Sequence, residues 1–196
     1  MASTKVGVDR RMGPAGSENW HAMLDAGEDI LREEGHALLT SRRIAERVGV
    51  KQRLVYYYFR TMEELIVDMF RRSSERDLQH LKDVTASAKP LHQLWEICFN
   101  SRDARLIAEY MALANHIPDL RAEVIRFIKE SRAVQIEAIT TALESRPSVS
   151  TLPPAALALI ATSLGLLLNR EEQLGVESGH AEVMAILRGV LNELED

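Results

Sequence analysis

Positive charge is concentrated in one short segment of this 196-residue chain. Residues 36–62 contain six lysines and arginines but one acidic residue, Glu46, which gives the segment a net charge of +5. The whole chain has a net charge of −5, so the remaining residues carry −10. Clustered cations on an otherwise acidic protein attract phosphate groups at one place only. The charge pattern therefore predicts a nucleic-acid contact within residues 36–62.

Three consecutive tyrosines, Tyr56, Tyr57 and Tyr58, lie in the same segment. Successive residues are about 100° apart around a helix, so one helix cannot bury all three on a single face. We expect at least one phenol to donate a hydrogen bond to a phosphate oxygen. Gln52 and Arg53 have side chains that can read adenine and guanine edges in the major groove. The alternative is that the tyrosines pack between helices and the arginines form a solvated face.

Two short helices joined by a glycine turn are predicted to position these side chains. Thr40 is a suitable N-cap for a helix over Ser41–Val48, Gly49 ends that helix, and a second helix is predicted over Lys51–Tyr58. The sequence T-M-E-E at residues 61–64 is a capping box that begins a long helix. A helix pair of this kind is the layout of a helix-turn-helix, whose second helix lies in the major groove.

The motif residues of this segment are Thr40, Ile44-Ala45, Gly49-Val50, Val55-Tyr56, Tyr57-Tyr58, Phe59 and Glu63-Glu64-Leu65. In this pattern the chain resembles the amino-terminal DNA-binding domain of the TetR family of bacterial transcription regulators. The rest of the chain resembles the family only in length and in its helical layout. The family often has a lysine where this chain has Met62, which cannot contact a phosphate. We expect Lys51 to compensate by neutralising a neighbouring phosphate.

The resemblance assigns roles to the residues of this segment. The side chains that it implies in phosphate contacts are Ser41, Tyr57 and Tyr58. The side chains that it implies near bases are Arg42, Gln52 and Arg53. With the remaining motif residues, the predicted DNA-binding set is Thr40, Ser41, Arg42, Lys51, Gln52, Arg53, Tyr56, Tyr57 and Tyr58.

Composition and the positions of helix-breaking residues predict an all-α fold of about nine helices. Hydrophobic residues make up 46% of the chain and charged residues 27%, as in a soluble globular protein. The 10 glycines and 6 prolines leave long stretches without a breaker. We predict a flexible amino-terminal tail over residues 1–18 and a three-helix DNA-binding domain over residues 19–65. Residues 66–196 are predicted to form a helical bundle that binds a ligand and dimerises.

The last two helices are predicted to form the interface of a homodimer. The stretch over residues 155–168 is apolar nearly all round, so it needs cover on every side, yet it is too short to span a membrane. A dimer would place two reading helices about one turn of double-stranded DNA apart, roughly 34 Å, on an inverted-repeat operator. The alternative is that this helix lies in the core of a single chain.

The middle helices carry most of the remaining aromatic and sulfur-containing side chains. On facing stripes they could line an apolar cavity, although an ordinary packed core is the alternative. The family resemblance implies a cavity for a small-molecule inducer somewhere in this bundle, with repression relieved when the inducer binds. The candidate ligand-binding residues are Trp95, Phe99, Tyr110, Met111 and Phe127.

The sequence carries no recognisable catalytic, metal or cofactor motif. None of the six histidines lies four residues from another, and a glycine-rich phosphate loop, a nucleophile elbow and paired cysteines are all missing. Glu109 and Glu123 are predicted to face solvent. We therefore expect a protein that is not an enzyme, binds no metal or cofactor, and acts in the cytoplasm, because no secretory signal is evident. The competing interpretation is a helical ligand-binding or adaptor protein whose basic segment contacts an acidic protein partner.

Overall fold

A computed structural model describes residues 13–87, 89–99, 104–145 and 151–195 of the chain. Over these ranges it contains nine α-helices, one short 3-10 turn at His36–Leu38 and no strand, which confirms the predicted all-α fold. The α-helices are α1 Glu18–Glu33, α2 Ser41–Val48, α3 Gln52–Tyr58, α4 Met62–Thr85, α5 Pro90–Phe99, α6 Ala104–Ala114, α7 Pro118–Ser145, α8 Pro154–Gln173 and α9 His180–Glu195.

The chain divides into two compact units, Met1–Phe70 and Arg71–Asp196, with the boundary inside α4. The first twelve residues of the predicted tail lie outside the described part of the chain. Gly13, the first described residue, is buried against the aromatic ring of Tyr58. Ser17 then caps α1, because its hydroxyl accepts a hydrogen bond from the Trp20 N–H at 3.3 Å.

The caps of the amino-terminal unit follow the signals in the sequence. The Thr40 hydroxyl accepts the Arg43 N–H at 3.2 Å and begins α2, and Gly49 ends α2 in the left-handed conformation, at φ 77°. The Thr61 hydroxyl accepts the Glu64 N–H at 3.0 Å. The Glu64 carboxylate accepts the Arg60 N–H at 2.9 Å, so the predicted capping box is present and reaches one residue further back than expected.

A continuous apolar core joins the helices of the amino-terminal unit. Trp20 stacks on Phe59 with 6.3 Å between ring centroids, and Gly27 of α1 lies close to the Met69 side chain of α4. Each fully buried side chain of this size contributes roughly 1.5–3 kcal/mol to stability. The fully buried residues of this core include Met23, Leu24, Ile30, Leu31, Ile44, Val55, Phe59, Leu65 and Met69. This core determines which face of α3 is left outside.

A second core lies in the carboxy-terminal unit. Its buried members come from α4, α5, α7 and α9, and they are Leu78, Leu81, Val84, Leu91, Leu94, Ala138 and Leu194. In α7, Leu120 and Val124 are buried while Ile128 is exposed, although the three apolar residues are spaced four apart. Residues four apart are offset by about 40° around a helix, so the offset between Leu120 and Ile128 reaches about 80°. That drift carries Ile128 off the buried face.

Two polar clusters connect helices within the carboxy-terminal unit. The buried Glu195 carboxylate of α9 accepts the N–H groups of Leu91 at 2.5 Å and His92 at 3.1 Å, and so satisfies donors at the start of α5. Glu123 accepts hydrogen bonds from Arg71 at 2.8 Å and from Arg126 at 2.9 Å.

Glu123 is mostly buried, so the prediction that it faces solvent is wrong. Burial alone would raise the pKa of its carboxyl, but the hydrogen bonds from Arg71 and Arg126 outweigh burial and lower the pKa below its ordinary value. The two arginines therefore keep a mostly buried carboxylate charged.

The apolar helix predicted over residues 155–168 continues to Gln173. Its added residues, which include Arg170, Glu171 and Glu172, are polar and remain helical. Within the described ranges, no helix is both long and apolar enough to cross a membrane.

Candidate nucleic-acid interface

The outer face of α3 presents a row of polar and aromatic side chains. Lys51, Gln52 and Arg53 are exposed at its start. Tyr56 and Tyr57 follow on the next turn with exposures of 52% and 38%. We call these five residues the α3 ridge. Its side chains combine a phosphate-neutralising cation, hydrogen-bond donors for phosphate, and the amide and guanidinium groups that can read base edges.

The inner face of α3 explains why the ridge lies outside. Val55 and Phe59 are fully buried in the core of the amino-terminal unit, and Tyr58 is 9% exposed. The Tyr58 ring makes an edge-to-face contact with Tyr57, at 5.3 Å between centroids. Burying Tyr58 leaves the other two tyrosines exposed, as helical spacing predicts. Tyr57 is therefore better placed than Tyr58 for the phosphate contact that the family resemblance implies for both.

Ser41 lies in the interior between α2 and α3, with an exposure of 5%. Its hydroxyl accepts a hydrogen bond from Gln52 Nε2 at 2.9 Å and donates one to the Tyr56 hydroxyl, also at 2.9 Å. Sequence reasoning places Ser41 among the phosphate contacts, whereas the structure surrounds it with two side chains of the ridge. No spacing signal identifies this network, because it depends on how α2 crosses α3.

The start of α2 carries the two remaining residues of the predicted set. Thr40 is exposed, and its hydroxyl is used in capping α2. The side chain of Arg42 is 79% exposed, and its Nε donates to the Glu46 carboxylate at 2.9 Å. That bond uses Nε, and the side chain is otherwise largely exposed to solvent. Arg42 therefore extends the cationic surface beside the α3 ridge.

Two of the six cations in the basic segment, Arg43 and Arg47, are paired with carboxylates at the end of α1. Arg43 donates to Glu34 through Nε at 3.1 Å and through Nη2 at 2.9 Å. Arg47 Nη2 donates to Glu33 at 2.6 Å. Hydrogen bonding to Arg43 lowers the pKa of Glu34, and the same bond raises the pKa of Arg43. The net charge of +5 thus overstates the charge that this surface offers, because Glu33 and Glu34 precede the segment in sequence but lie against it in space.

The structure places the candidate ligand-binding residues in different environments. Trp95 and Tyr110 are buried, and Phe127 packs partly buried against the second core. Met111 is 36% exposed, so it does not line an enclosed cavity with them. The side chain of Phe99 lies outside the described part of the chain. Among the described residues, no group of three or more histidine, cysteine, aspartate or glutamate side chains could hold a metal ion.

Comparison with known proteins places the amino-terminal unit in a family. Residues 23–69 match the family model described as bacterial regulatory proteins, tetR family. These residues include most of α1, all of α2 and α3, and the start of α4. No curated protein matches the chain.

Solved structures share the fold over most of the chain. The reduced form of NemR from Escherichia coli has 16% identity and a TM-score of 0.72, covering 91% of this chain and 96% of that chain. A transcriptional regulator from Saccharomonospora viridis, solved in complex with choline, has 13% identity and a TM-score of 0.74, covering 90% and 93%. A protein described as a TetR-family regulator from Mesorhizobium loti has 15% identity and a TM-score of 0.68, covering 93% and 96%.

The helix pair α2–α3, backed by α1 and the start of α4, defines a helix-turn-helix regulator fold. Residues 23–69 therefore form a helix-turn-helix domain of the TetR type, and the resemblance predicted from the motif residues is confirmed over this domain.

Proposed function

We propose that the chain is a transcriptional regulator that binds double-stranded DNA through the α3 ridge. The observation that carries this proposal is the exposure of Lys51, Gln52, Arg53, Tyr56 and Tyr57 on one short helix of a helix-turn-helix. The second helix of such a pair enters the major groove and presents its first residues to the bases.

Different side chains of the ridge contact phosphates and bases. Lys51 neutralises a phosphate, and the Tyr56 and Tyr57 hydroxyls donate to phosphate oxygens. Gln52 reads adenine, and Arg53 and Arg42 approach guanine through the paired donors of their guanidinium groups. Phosphate contacts fix the register of α3 in the groove, and base contacts then supply the sequence preference.

The proposed regulator is a homodimer that pairs through α8 and α9. Both helices carry large apolar side chains on exposed positions, and these include Leu159, Ile160, Leu166 and Leu167 of α8 and Ile186 and Val190 of α9. The proposed occupant of this face is a second copy of the chain, because an inverted-repeat operator requires two reading helices related by a two-fold axis.

The proposed signal is a small apolar or amphipathic inducer that binds residues 66–196 and releases the protein from its operator. The buried aromatic side chains of Trp95 and Tyr110 support an apolar ligand, as does Phe127, which packs against the second core of the same unit. The regulator from Saccharomonospora viridis that shares this fold binds choline in its solved structure. An inducer acts by favouring one conformer, so it lowers operator affinity only if that conformer binds DNA less well. A repressor of this kind acts in the cytoplasm, where its operator lies.

The test measures the affinity of the protein for two duplexes at several salt concentrations. The first duplex is the one that wild-type protein enriches from a random pool, and the second is a scrambled duplex of the same base composition. Wild-type protein is expected to prefer the first duplex, and both affinities are expected to fall as salt rises. Arg42→Ala should reduce the preference about tenfold, the value of one good base contact. Lys129→Ala is the control, because it removes one exposed positive charge from α7 in the other unit.

The competing adaptor model predicts a different result. An adaptor would bind both duplexes with equal affinity, and Arg42→Ala and Gln52→Ala would leave the ratio of the two affinities unchanged. That result would reject sequence-specific recognition even if salt-dependent binding to DNA persisted.

A further inference from the structure

The Ser41 hydroxyl joins two residues of the α3 ridge in one hydrogen-bonded chain. Gln52 Nε2 donates to Ser41 Oγ, and Ser41 Oγ donates to the Tyr56 hydroxyl, each over 2.9 Å. Gln52 and Tyr56 are four residues apart, so they lie on the same side of α3. Ser41 is the first residue of α2, and this chain therefore connects the beginnings of both helices of the pair.

The position of Ser41 argues against direct contact with DNA. The residue is buried beneath the two side chains that it binds. Its hydroxyl hydrogen is donated to Tyr56, and one of its lone pairs accepts from Gln52. The Ser41 hydroxyl is therefore engaged by these two side chains, and its burial beneath them keeps it away from a phosphate.

The hydrogen bonds to Ser41 leave groups on Gln52 and Tyr56 able to bind DNA. A glutamine amide has two donor hydrogens and one acceptor oxygen. After one hydrogen goes to Ser41, Gln52 retains the oxygen and hydrogen that pair with N6 and N7 of adenine. The Tyr56 side chain is exposed, and a hydroxyl can take part in more than one hydrogen bond, so Tyr56 can contact a phosphate oxygen while it stays bonded to Ser41.

We propose that Ser41 is a positioning residue, which holds Gln52 for an adenine and Tyr56 for a phosphate without touching DNA itself. This inference rests on the proposed function. A fixed glutamine loses less rotational freedom when it binds, so base discrimination rises although no contact is added. The inference replaces the phosphate contact that the family resemblance implies for Ser41.

The experiment uses the full chain and the duplex that wild-type protein enriches from a random pool. Substituted duplexes first locate the base pair at which Gln52→Ala loses discrimination. At that pair Ser41→Ala is expected to lose about tenfold in the ratio of dissociation constants. Ser41→Thr retains the hydroxyl and should stay within about twofold of wild type. The double variant Ser41→Ala/Gln52→Ala should discriminate no worse than Gln52→Ala alone, because both changes remove the same contact.

Three results would overturn the inference. The first two leave the proposed function standing, and the third contradicts the proposed function as well. The first is full discrimination by Ser41→Ala at the Gln52 base pair. The second is an equal loss of affinity for every duplex by a folded Ser41→Ala variant, which indicates a phosphate contact. The third is a Gln52→Ala variant that discriminates normally at every base pair. If wild-type protein enriches no duplex at all, the proposed function itself fails. If Ser41→Ala does not fold, Ser41→Cys provides the comparison, because it keeps an atom at the γ position but forms only weak hydrogen bonds.

Discussion

At the scale of single residues, the contribution of a cation to DNA binding depends on how closely carboxylates elsewhere in the fold already hold it. Lys51 is exposed at the start of α3, whereas Arg47 is paired with Glu33 at 2.6 Å. Both residues count equally in the net charge of the segment, yet their surroundings differ. The local partner of each cation therefore decides its contribution.

Lys51→Ala should flatten the slope of log affinity against log salt by about one unit, because one fewer counterion is released on binding. The measurement is a series of binding isotherms at increasing salt. Arg47→Ala, which removes an equal charge already paired within the protein, should leave the slope at the wild-type value. Equal slopes for Lys51→Ala and wild type would show that Lys51 does not replace the contact missing at Met62.

Tyr57 and Tyr58 form a second matched pair of residues. Tyr57→Phe removes a hydroxyl from the exposed ridge and should weaken binding several-fold, since a net hydrogen bond contributes about 1 kcal/mol. Tyr58→Phe alters a buried ring and should leave DNA affinity near that of wild type. Affinities of both variants for one duplex provide the measurement. A larger effect from Tyr58→Phe would mean that the buried hydroxyl reaches the backbone of DNA.

Sequence reasoning anticipates residues whose role depends on spacing and misses those whose role depends on a neighbouring helix. The exposure of Tyr56 and Tyr57 follows from the helical repeat alone. The burial of Ser41 depends on how α2 crosses α3, and no pattern along the sequence predicts that crossing. A charge count over consecutive residues does not predict the pairing of Arg43 with Glu34, because it ignores carboxylates that pack against the segment in the folded protein.

At the scale of helices, local signals predicted ends better than composition did. Thr40 and Gly49 fix both ends of α2 where they were expected, because each satisfies backbone groups that the helix itself cannot. The predicted end of α8 at residue 168 is five residues too early, because the prediction stops at the end of the apolar stretch. Charged residues continue a helix readily. The chain leaves α8 only near Gly175, which has a φ of 76°.

Glu123 of α7 gives the prediction that belongs to this scale, because it binds Arg71 of α4 as well as Arg126 of its own helix. Its pKa is lowered in the folded state, so its stabilising effect is complete above the ordinary carboxyl pKa of 4.5. The effect is lost as the pH falls through the lowered folded value. Glu123→Gln should therefore reduce the free energy of unfolding by about 1 kcal/mol at pH 7 and by less near pH 3.

Urea unfolding at both pH values measures this difference. Glu137→Gln is the control, because Glu137 is exposed on the same helix. The control should change stability little at either pH. An equal loss from Glu123→Gln at pH 7 and at pH 3 would show that its charge does not contribute.

At the scale of the whole molecule, the proposed dimer explains why α8 and α9 expose apolar side chains. Ile186→Glu places a charge on the proposed interface, and it should convert the dimer to monomers and weaken binding to an inverted repeat at least tenfold. Binding to an isolated half-site should change little. Ile125→Glu, at an exposed isoleucine of α7, is the matched control and should remain dimeric.

Sedimentation velocity reports the oligomeric state of each variant, and binding isotherms report the two affinities. A dimeric Ile186→Glu variant with normal operator affinity would contradict the proposed interface. Equal dissociation of the Ile125→Glu variant would place the interface on a different face.

The ligand site is the part of the molecule that sequence reasoning predicts least well. Its candidates lie on α5, α6 and α7, and only the packing of these helices decides which side chains share a space. Tyr110 and Met111 are neighbours on one apolar stripe, yet the first is buried and the second exposed. A stripe is wider than the contact that covers it, so the residues at its edge cannot be assigned from periodicity.

Selection of bound duplexes from a random pool, performed in parallel with wild-type protein and Gln52→Ala, tests the central claim most directly. The account predicts that wild-type protein enriches an inverted repeat whose half-sites are centred about one helical turn apart or a multiple of it. It predicts that Gln52→Ala enriches the same repeat with one position in each half-site relaxed. An identical set of sequences from both proteins, or no enrichment by either, would contradict recognition of DNA by the α3 ridge.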